Sequence, residues 1–291
     1  MTDRPQGWKI LVATDGSKSA ARAVGAAAAM PWPEGSEVRV VSVGDPLEGM
    51  PETIAAHRAR NEKVLAVAHA RIEKGGRSVS SAVLFGSPAK TILEAASDWP
   101  AGVIVVGARG LGAVRGLLLG SVSSAVARAA ACSVLVVKSE VRAPIRAVMA
   151  VDGSNDARAA ARRLAELRAP RNAVTVVRVV EPPQVKSLGL LPRRIAGAIR
   201  SEIASASEGV RKEAERSVRD VAGIFLDAGW NVEAVVRSGI PSAEVVAAAR
   251  KANASLVAVG PRGVTGLARI LVGSVAERLL FAQGISLFIG R

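Results

Sequence analysis

The strongest constraint on how this chain can fold is an internal repeat. KILVATDGSKSAARAV at residues 9–24 returns as RAVMAVDGSNDARAAA at 146–161, and EVRVVSVGDP at 37–46 returns as AVTVVRVVEPP at 173–183. VLFGSPAKTILEAA then answers to VVRSGIPSAEVVAAA, and GARGLGAVRGLLLGS at 107–121 to GPRGVTGLARILVGS at 260–274. Four pairs in the same order make the 291 residues two copies of one unit. The polar connector KSEVRAPIR, where a proline and mixed charges interrupt the apolar pattern, sets the expected domains at 1–141 and 142–291.

Within each copy, short β-branched runs alternate with alanine-rich helical segments, the pattern of βαβ units around a parallel sheet. The expected strands are 9–13, 38–43, 80–84, 103–106 and 134–137, then 147–151, 174–179, 232–236, 256–259 and 286–289. Runs such as VIVV and VTVV show no polar alternation, as strands covered by helices on both faces should not. The fold class is α/β, two tandem doubly wound five-stranded domains. The copies differ in one interval: 92 positions separate Asp15 from Gly107, whereas 108 separate Asp152 from Gly260. The surplus falls in 181–216, which reads as a proline-bearing loop and a long helix. A solvated extension and a lid or partner-binding element are both open readings.

The glycine-rich stretches share one spacing, Gly-x-x-Gly, nine residues, Gly-Ser: Gly107, Gly110, Gly120 and Ser121, then Gly260, Gly263, Gly273 and Ser274. They follow the fourth strand of each unit, where an open parallel sheet has its ligand crevice. The paired glycines let backbone turn tightly and approach a ligand with no Cβ between them. The closing Gly-Ser opens a helix, whose unpaired amides and positive dipole end suit a phosphate. Arg109 and Arg262, inside the paired glycines, are either phosphate-neutralising or simply exposed. Asp15 and Asp152 end the first strand across the same crevice, as helix caps, as ligands for a nucleoside hydroxyl or cation, or as both.

Other chemistries find no support. There is no Gly-x-x-x-x-Gly-Lys-Ser/Thr loop and no Gly-x-Gly-x-x-Gly after a first strand, so neither a P-loop nucleotidase nor a dinucleotide dehydrogenase is indicated. No nucleophile elbow, paired carboxylates or metal-ligand cluster appears, and His57 and His69, the only histidines, lie in a helical segment far from either motif and read as surface residues. A net charge of +14 admits anionic partners. Aromatic residues make up only 3%, with no tyrosine, so base-stacking platforms for nucleic acid are poorly supplied. Residues 1–10 show no signal-peptide pattern, and no apolar run approaches the roughly 20 residues a membrane span needs. With one cysteine, Cys132, read as a small buried apolar residue, the expected location is the cytoplasm.

The VATDGS and VAVDGS strands, the GSP and GIP turns and the doubled glycine spacing resemble the universal stress protein family, as a tandem pair covering nearly the whole chain. That resemblance implies a strand order of 3-2-1-4-5, pairing of the two halves through their fifth strands as an intramolecular pseudo-dimer, and ATP binding, with Mg²⁺ carried on the phosphates. It places nucleoside contacts on Ala13, Asp15 and Val43 and on Ala150, Asp152 and Val179, and phosphate and ribose contacts on the glycines and serines above, extended to Val122 and Val275. The expected function is stress-related regulation, with one ATP site per domain, little turnover, and a protein partner that reads occupancy. A slow Mg²⁺-dependent ATPase or phosphotransferase, a partner- or nucleic-acid-binding scaffold, and assembly into a homodimer are the alternatives. Two departures bear on the second site: Pro261 stands between the paired glycines, and Arg178 precedes Val179 where the family often has histidine.

Overall fold

The computed structural model describes residues 7–44, 51–110, 119–182, 193–262 and 272–291. The first half runs β1 (Lys9–Ala13), α1 (Lys18–Ala29), β2 (Glu37–Gly44), α2 (Pro51–Glu73), β3 (Ser78–Phe85), α3 (Pro88–Asp98), β4 (Val103–Gly107), α4 (Ser121–Ala129) and β5 (Ser133–Val137). The second repeats it as β6 (Arg146–Val151), α5 (Asn155–Ala165), β7 (Ala173–Val180), α6 (Arg193–Asp227), β8 (Asn231–Ser238), α7 (Pro241–Lys251), β9 (Leu256–Val259), α8 (Ser274–Leu280) and β10 (Ser286–Ile289). All ten expected strands are present, each within two residues of its expected ends. Part of the surplus in the second half is absorbed by α6, which has 35 residues where α2 has 23. Residues 183–192, the loop expected before it, lie outside the described residues.

The strands form one sheet in the order β3-β2-β1-β4-β5-β10-β9-β6-β7-β8. Each half is parallel and has the order 3-2-1-4-5, while β5 and β10 meet antiparallel through Val134–Ile289, Leu135–Phe288 and Val136–Leu287. Helices α1, α2, α5 and α6 cover one face, packing Ala23, Ile72, Leu164 and Phe225 onto it. Helices α3, α4, α7 and α8 cover the other with Ile92, Val126, Val245 and Leu279. Both cores run through both halves, because strands buried on two faces expose apolar side chains to each.

Local chemistry sets the helix starts. Ser17 and Ser154 cap α1 and α5, each accepting from the amide three residues on at 3.1 Å. In α1, Ala20, Ala23, Val24 and Ala27 are buried at helical spacing, and such short side chains let the helix lie close to the sheet. Proline at the first position, after the GSP and GIP turns, opens α3 and α7.

Only three residue pairs join β5 to β10, and polar contacts complete the junction. Lys138, just beyond β5, donates from Nζ to the Leu279 and Ala282 carbonyls at 2.7 and 2.8 Å, at the C-terminal end of α8. Arg291, just beyond β10, donates to the Ala127 and Cys132 carbonyls at 2.8 and 3.2 Å, at the C-terminal end of α4. Each half thus caps a helix of the other with a cation, where unpaired carbonyls and the helix dipole favour positive charge. Arg128 of α4 and Glu277 of α8 pair at 2.6 Å. Farther along, Trp8 stacks under Arg163 at 4.0 Å and donates from Nε1 to Glu166 at 2.6 Å, tying the start of β1 to α5.

Burial pulls the Lys138 ammonium down to about 8. Because the folded value lies below the ordinary 10.5, the unfolded chain binds more protons between those limits, and stability rises with pH across that window. This contribution is complete above 10.5 and lost as pH falls to 8. Denaturant titrations of the wild type and Lys138→Met at pH 7, 8, 9 and 10 should therefore show the wild type gaining on the variant above pH 8; a pH-independent difference would mean Lys138 is not titrating.

Candidate functional site

The site begins with packing at the end of β4. A Cβ on Gly107 would lie 2.6 Å from the backbone of Ser19, so only glycine lets the strand end touch the first turn of α1. From there the chain turns over α1: the Arg109 amide donates to Ser19 Oγ at 3.1 Å, and Ser17 Oγ donates to the Arg109 carbonyl at 3.3 Å. The loop returns where the Gly120 amide donates to the Ala108 carbonyl at 2.7 Å. Gly120 is the N-cap of α4, and Ser123 Oγ, one turn in, donates to the Gly107 carbonyl at 2.5 Å. Strand end, glycine turn and helix start are thus held by hydrogen bonds to one another.

These elements enclose a cleft of about 460 Å³ at the carboxyl ends of β1, β2 and β4. Every first-half residue named above for nucleotide contact lines it: Ala13, Asp15, Val43, Gly107, Arg109, Gly110, Gly120, Ser121 and Val122. The wall that sequence reasoning missed is apolar. Val41 lies two residues before Val43, on the same face of β2; Pro88 and Ile92 sit one turn apart on α3; Val106 and Leu119 complete it. The signal for Val41 was strand alternation from Val43, and for Pro88 the GSP turn itself. Nothing local pointed to Leu119.

Asp15 does not cap α1; Ser17 does. The Asp15 carboxylate accepts from the Ser17 amide at 2.9 Å, pinning the turn in which Gly16 takes φ +79°, and presents its other oxygen toward Gly110. Asp152 repeats the bond to Ser154 at 2.9 Å, with Gly153 at φ +87°.

The second half keeps the same frame. A Cβ on Gly260 would lie 2.9 Å from the Ala157 amide nitrogen, Gly273 caps α8 ahead of Ser274, and the Gly273 amide donates to the Pro261 carbonyl at 2.8 Å. Ala150, Val179 and Val275 are half-buried against the same core as Ala13, Val43 and Val122. Gly263 lies outside the described residues. The two departures prove less disruptive than expected. The amide equivalent to the one Pro261 lacks, that of Ala108, donates to the Val137 carbonyl at 3.1 Å, so the proline costs a strand-end bond and no donor in the crevice. Arg178 projects from the face of β7 opposite Val179 and pairs with Glu213 of α6 at 3.1 Å. It sits beneath the Gly153 turn, 2.8 Å from where a Cβ would be.

His57 and His69 are half-buried on α2 and line no part of the cleft. Cys132 is also half-buried rather than buried, and desolvation pushes its thiol up, away from the reactive thiolate. No helix among the described residues is long and apolar enough to cross a membrane.

The universal stress protein family model matches residues 8–138 and again 146–282. The chain belongs to the universal stress protein family. Its two family domains fill the tandem halves of the sheet. A universal stress protein of Mycobacterium tuberculosis is 30% identical over 228 residues, 74% of this chain and 69% of that one. A Thermus aquaticus member is 41% identical over 135 residues, covering 44% of this chain and 97% of its own. The crystal structure of an Archaeoglobus fulgidus universal stress protein superposes over 98% of this chain and 97% of its own, with a TM-score of 0.70 at 19% identity, so the tandem fold is shared at low sequence similarity.

The glycines separate into structural and cleft-facing classes. Gly107→Ala drives a Cβ into backbone and should cost about 1–3 kcal/mol in denaturant unfolding. In Gly110→Ala the new methyl meets, among the described residues, the Asp15 carboxylate alone, at 2.7 Å, and stability should stay within about 0.5 kcal/mol while the cleft narrows. Equal losses in both variants would contradict this division.

Proposed function

We propose that this universal stress protein binds ATP in the first-half cleft and a nucleotide in the equivalent crevice of the second half, with little turnover. Occupancy acts as a regulatory ligand, altering a surface that a protein partner reads. The observation that carries this reading is the division of the cleft into two chemistries. The glycine turn, Arg109, Ser121 and the start of the nine-residue α4 make one end a cradle for phosphate, supplied by backbone amides, a hydroxyl and a helix dipole. Val41, Val43 and Ile92 make the other an apolar slot that fits a base, and Asp15 in the same lining supplies the acceptor a ribose hydroxyl would meet. A volume of about 460 Å³ falls within the range of small-molecule sites.

Gly110 and Gly120 leave the loop backbone bare where phosphate oxygens would approach. Mg²⁺ enters this reading as an ion carried on the phosphates, with the Asp15 carboxylate as the acidic group of the lining. In this reading turnover is low: among the described residues that line the cleft, Asp15 is the single carboxylate, it is engaged with the Ser17 amide, and there is no histidine.

Protein purified without added nucleotide, then denatured, should release ATP, and reloading with ATP and Mg²⁺ should raise the melting temperature in a concentration-dependent way. Gly110→Ala should lose most of the first-half contribution to that rise. Absence of released nucleotide together with an unchanged melting temperature at millimolar ATP would eliminate the proposal. Turnover well above background that is abolished by Asp15→Ala and Asp152→Ala would replace it with an enzymatic one.

A further inference from the structure

The β5–β10 seam uses one edge of each half, and among the described residues the sheet ends at β3 on one side and β8 on the other. Both edge strands have eight residues, long enough to template a further strand. Their chemistry differs. Ser78–Phe85 carries no charged residue, whereas Asn231–Ser238 carries Glu233 and Arg237, four positions apart on one face of β8. Pairing with β7 fixes which backbone groups of β8 are free. Asn231 and Gly239 donate to the Asn172 and Val180 carbonyls at 2.8 and 3.1 Å, so the odd-numbered residues turn amide and carbonyl inward. Val232, Ala234, Val236 and Ser238 turn theirs outward, along an edge where Glu233 and Ala234 are exposed.

We propose that β8 is a homodimer interface, on which a second copy of this chain lays its own β8 antiparallel about a twofold axis through Val235. In that register Ala234 opposes the partner's Val236 and Val232 opposes the partner's Ser238, and all four have outward amides and carbonyls to exchange. Val235 meets its own copy, and Glu233 stands directly opposite the partner's Arg237. These odd-numbered positions form the non-hydrogen-bonded pairs, where facing side chains come closest. Sliding by two residues sets each charge opposite a valine or another uncharged residue, so a single register matches both. β3 offers no countercharge, and a second β8 supplies both. Arg237 keeps its contact within the chain, donating from Nε to Glu244 at 2.6 Å, which leaves its Nη groups for the incoming carboxylate. Because α6 rests across β7 and β8, the twofold sets the two α6 helices side by side roughly 10 Å apart, a normal packing distance. The side of α6 that overlooks the edge holds Glu215 and Arg219, which share a groove with Ala234 and Val236, and Leu226, two turns beyond Arg219 and 60% exposed. Association through β8 does not depend on what the crevices hold.

Sedimentation equilibrium of the full chain should give the mass of two chains at micromolar concentration and above, with dissociation on dilution. Glu233→Arg and Arg237→Glu should each raise the dissociation constant about tenfold or more, since both symmetric pairs become like-charged. An equimolar mixture of the two variants should recover association, because each supplies the charge the other lacks. Ala234→Pro removes an outward amide without touching the β7 ladder and should abolish the dimer while leaving the circular dichroism of the folded chain unchanged. If loss of the Glu244 contact unfolds Arg237→Glu, Glu233→Arg and Ala234→Pro carry the test. A chain that is monomeric at every concentration, or a dimer indifferent to Ala234→Pro, would overturn the proposal. So would folded charge-reversal variants that dimerise normally or fail to recover on mixing, and so would open-ended polymers, which mean β8 pairing with β3.

Discussion

The antiparallel contact between β5 and β10 is the interaction on which the rest of this structure depends. Each half alone would end its sheet in a short, largely apolar strand, Ser133–Val137 or Ser286–Ile289, with unpaired amides and carbonyls along one side. Joining the two buries both strands and makes each core continuous through both halves. Three residue pairs are few for such a junction, and cations complete it. Lys138 and Arg291 leave their own strands to satisfy carbonyls at the end of the other half's α8 and α4. The same two helices carry the Gly-Ser motifs at their opposite ends. The parts that shape the crevices are therefore anchored across the seam.

Close packing governs the crevice itself. Gly107 and Gly260 bring the ends of β4 and β9 against the first turns of α1 and α5 at distances no side chain would allow. A hydroxyl at Ser19 meets the Arg109 amide, whereas a carboxylate at Asp156 meets the Arg262 guanidinium. The departures that stand out in the sequence, Pro261 and Arg178, have less effect because one faces a neighbouring strand and the other faces the opposite helix layer.

Much of this was legible in the amino-acid sequence. Strands buried on both faces must be apolar, so central strands such as β4 and β5 stood out as the unbroken runs VIVV and VLVV, while the edge strands β3 and β8 carry polar residues. The strand order came from the resemblance to the family, and the glycine spacing located the first crevice, because glycine permits a tight turn and close approach of backbone. Asp15 and Asp152 stand just beyond β1 and β6, and only the structure showed that Ser17 and Ser154, rather than they, cap the helices that follow. The apolar wall was less accessible, since Ile92 and Leu119 look like any core residue until the fold brings them to one cavity.

By itself the sequence determined the duplicated α/β unit, its strands and the residues at the mouth of each crevice, all of which follow from local periodicity and from backbone conformations that few residues permit. The tertiary structure alone decided which side chains meet. Asp156 and Arg262 are 106 positions apart and Lys138 and Leu279 are 141 apart, and no pattern in either segment specifies the other. Such pairs are set by the crossing of helices over the sheet and by the pseudo-twofold seam, which depend on the packing of the whole core. Charge pairing in the second half and capping across the junction therefore became visible only in three dimensions.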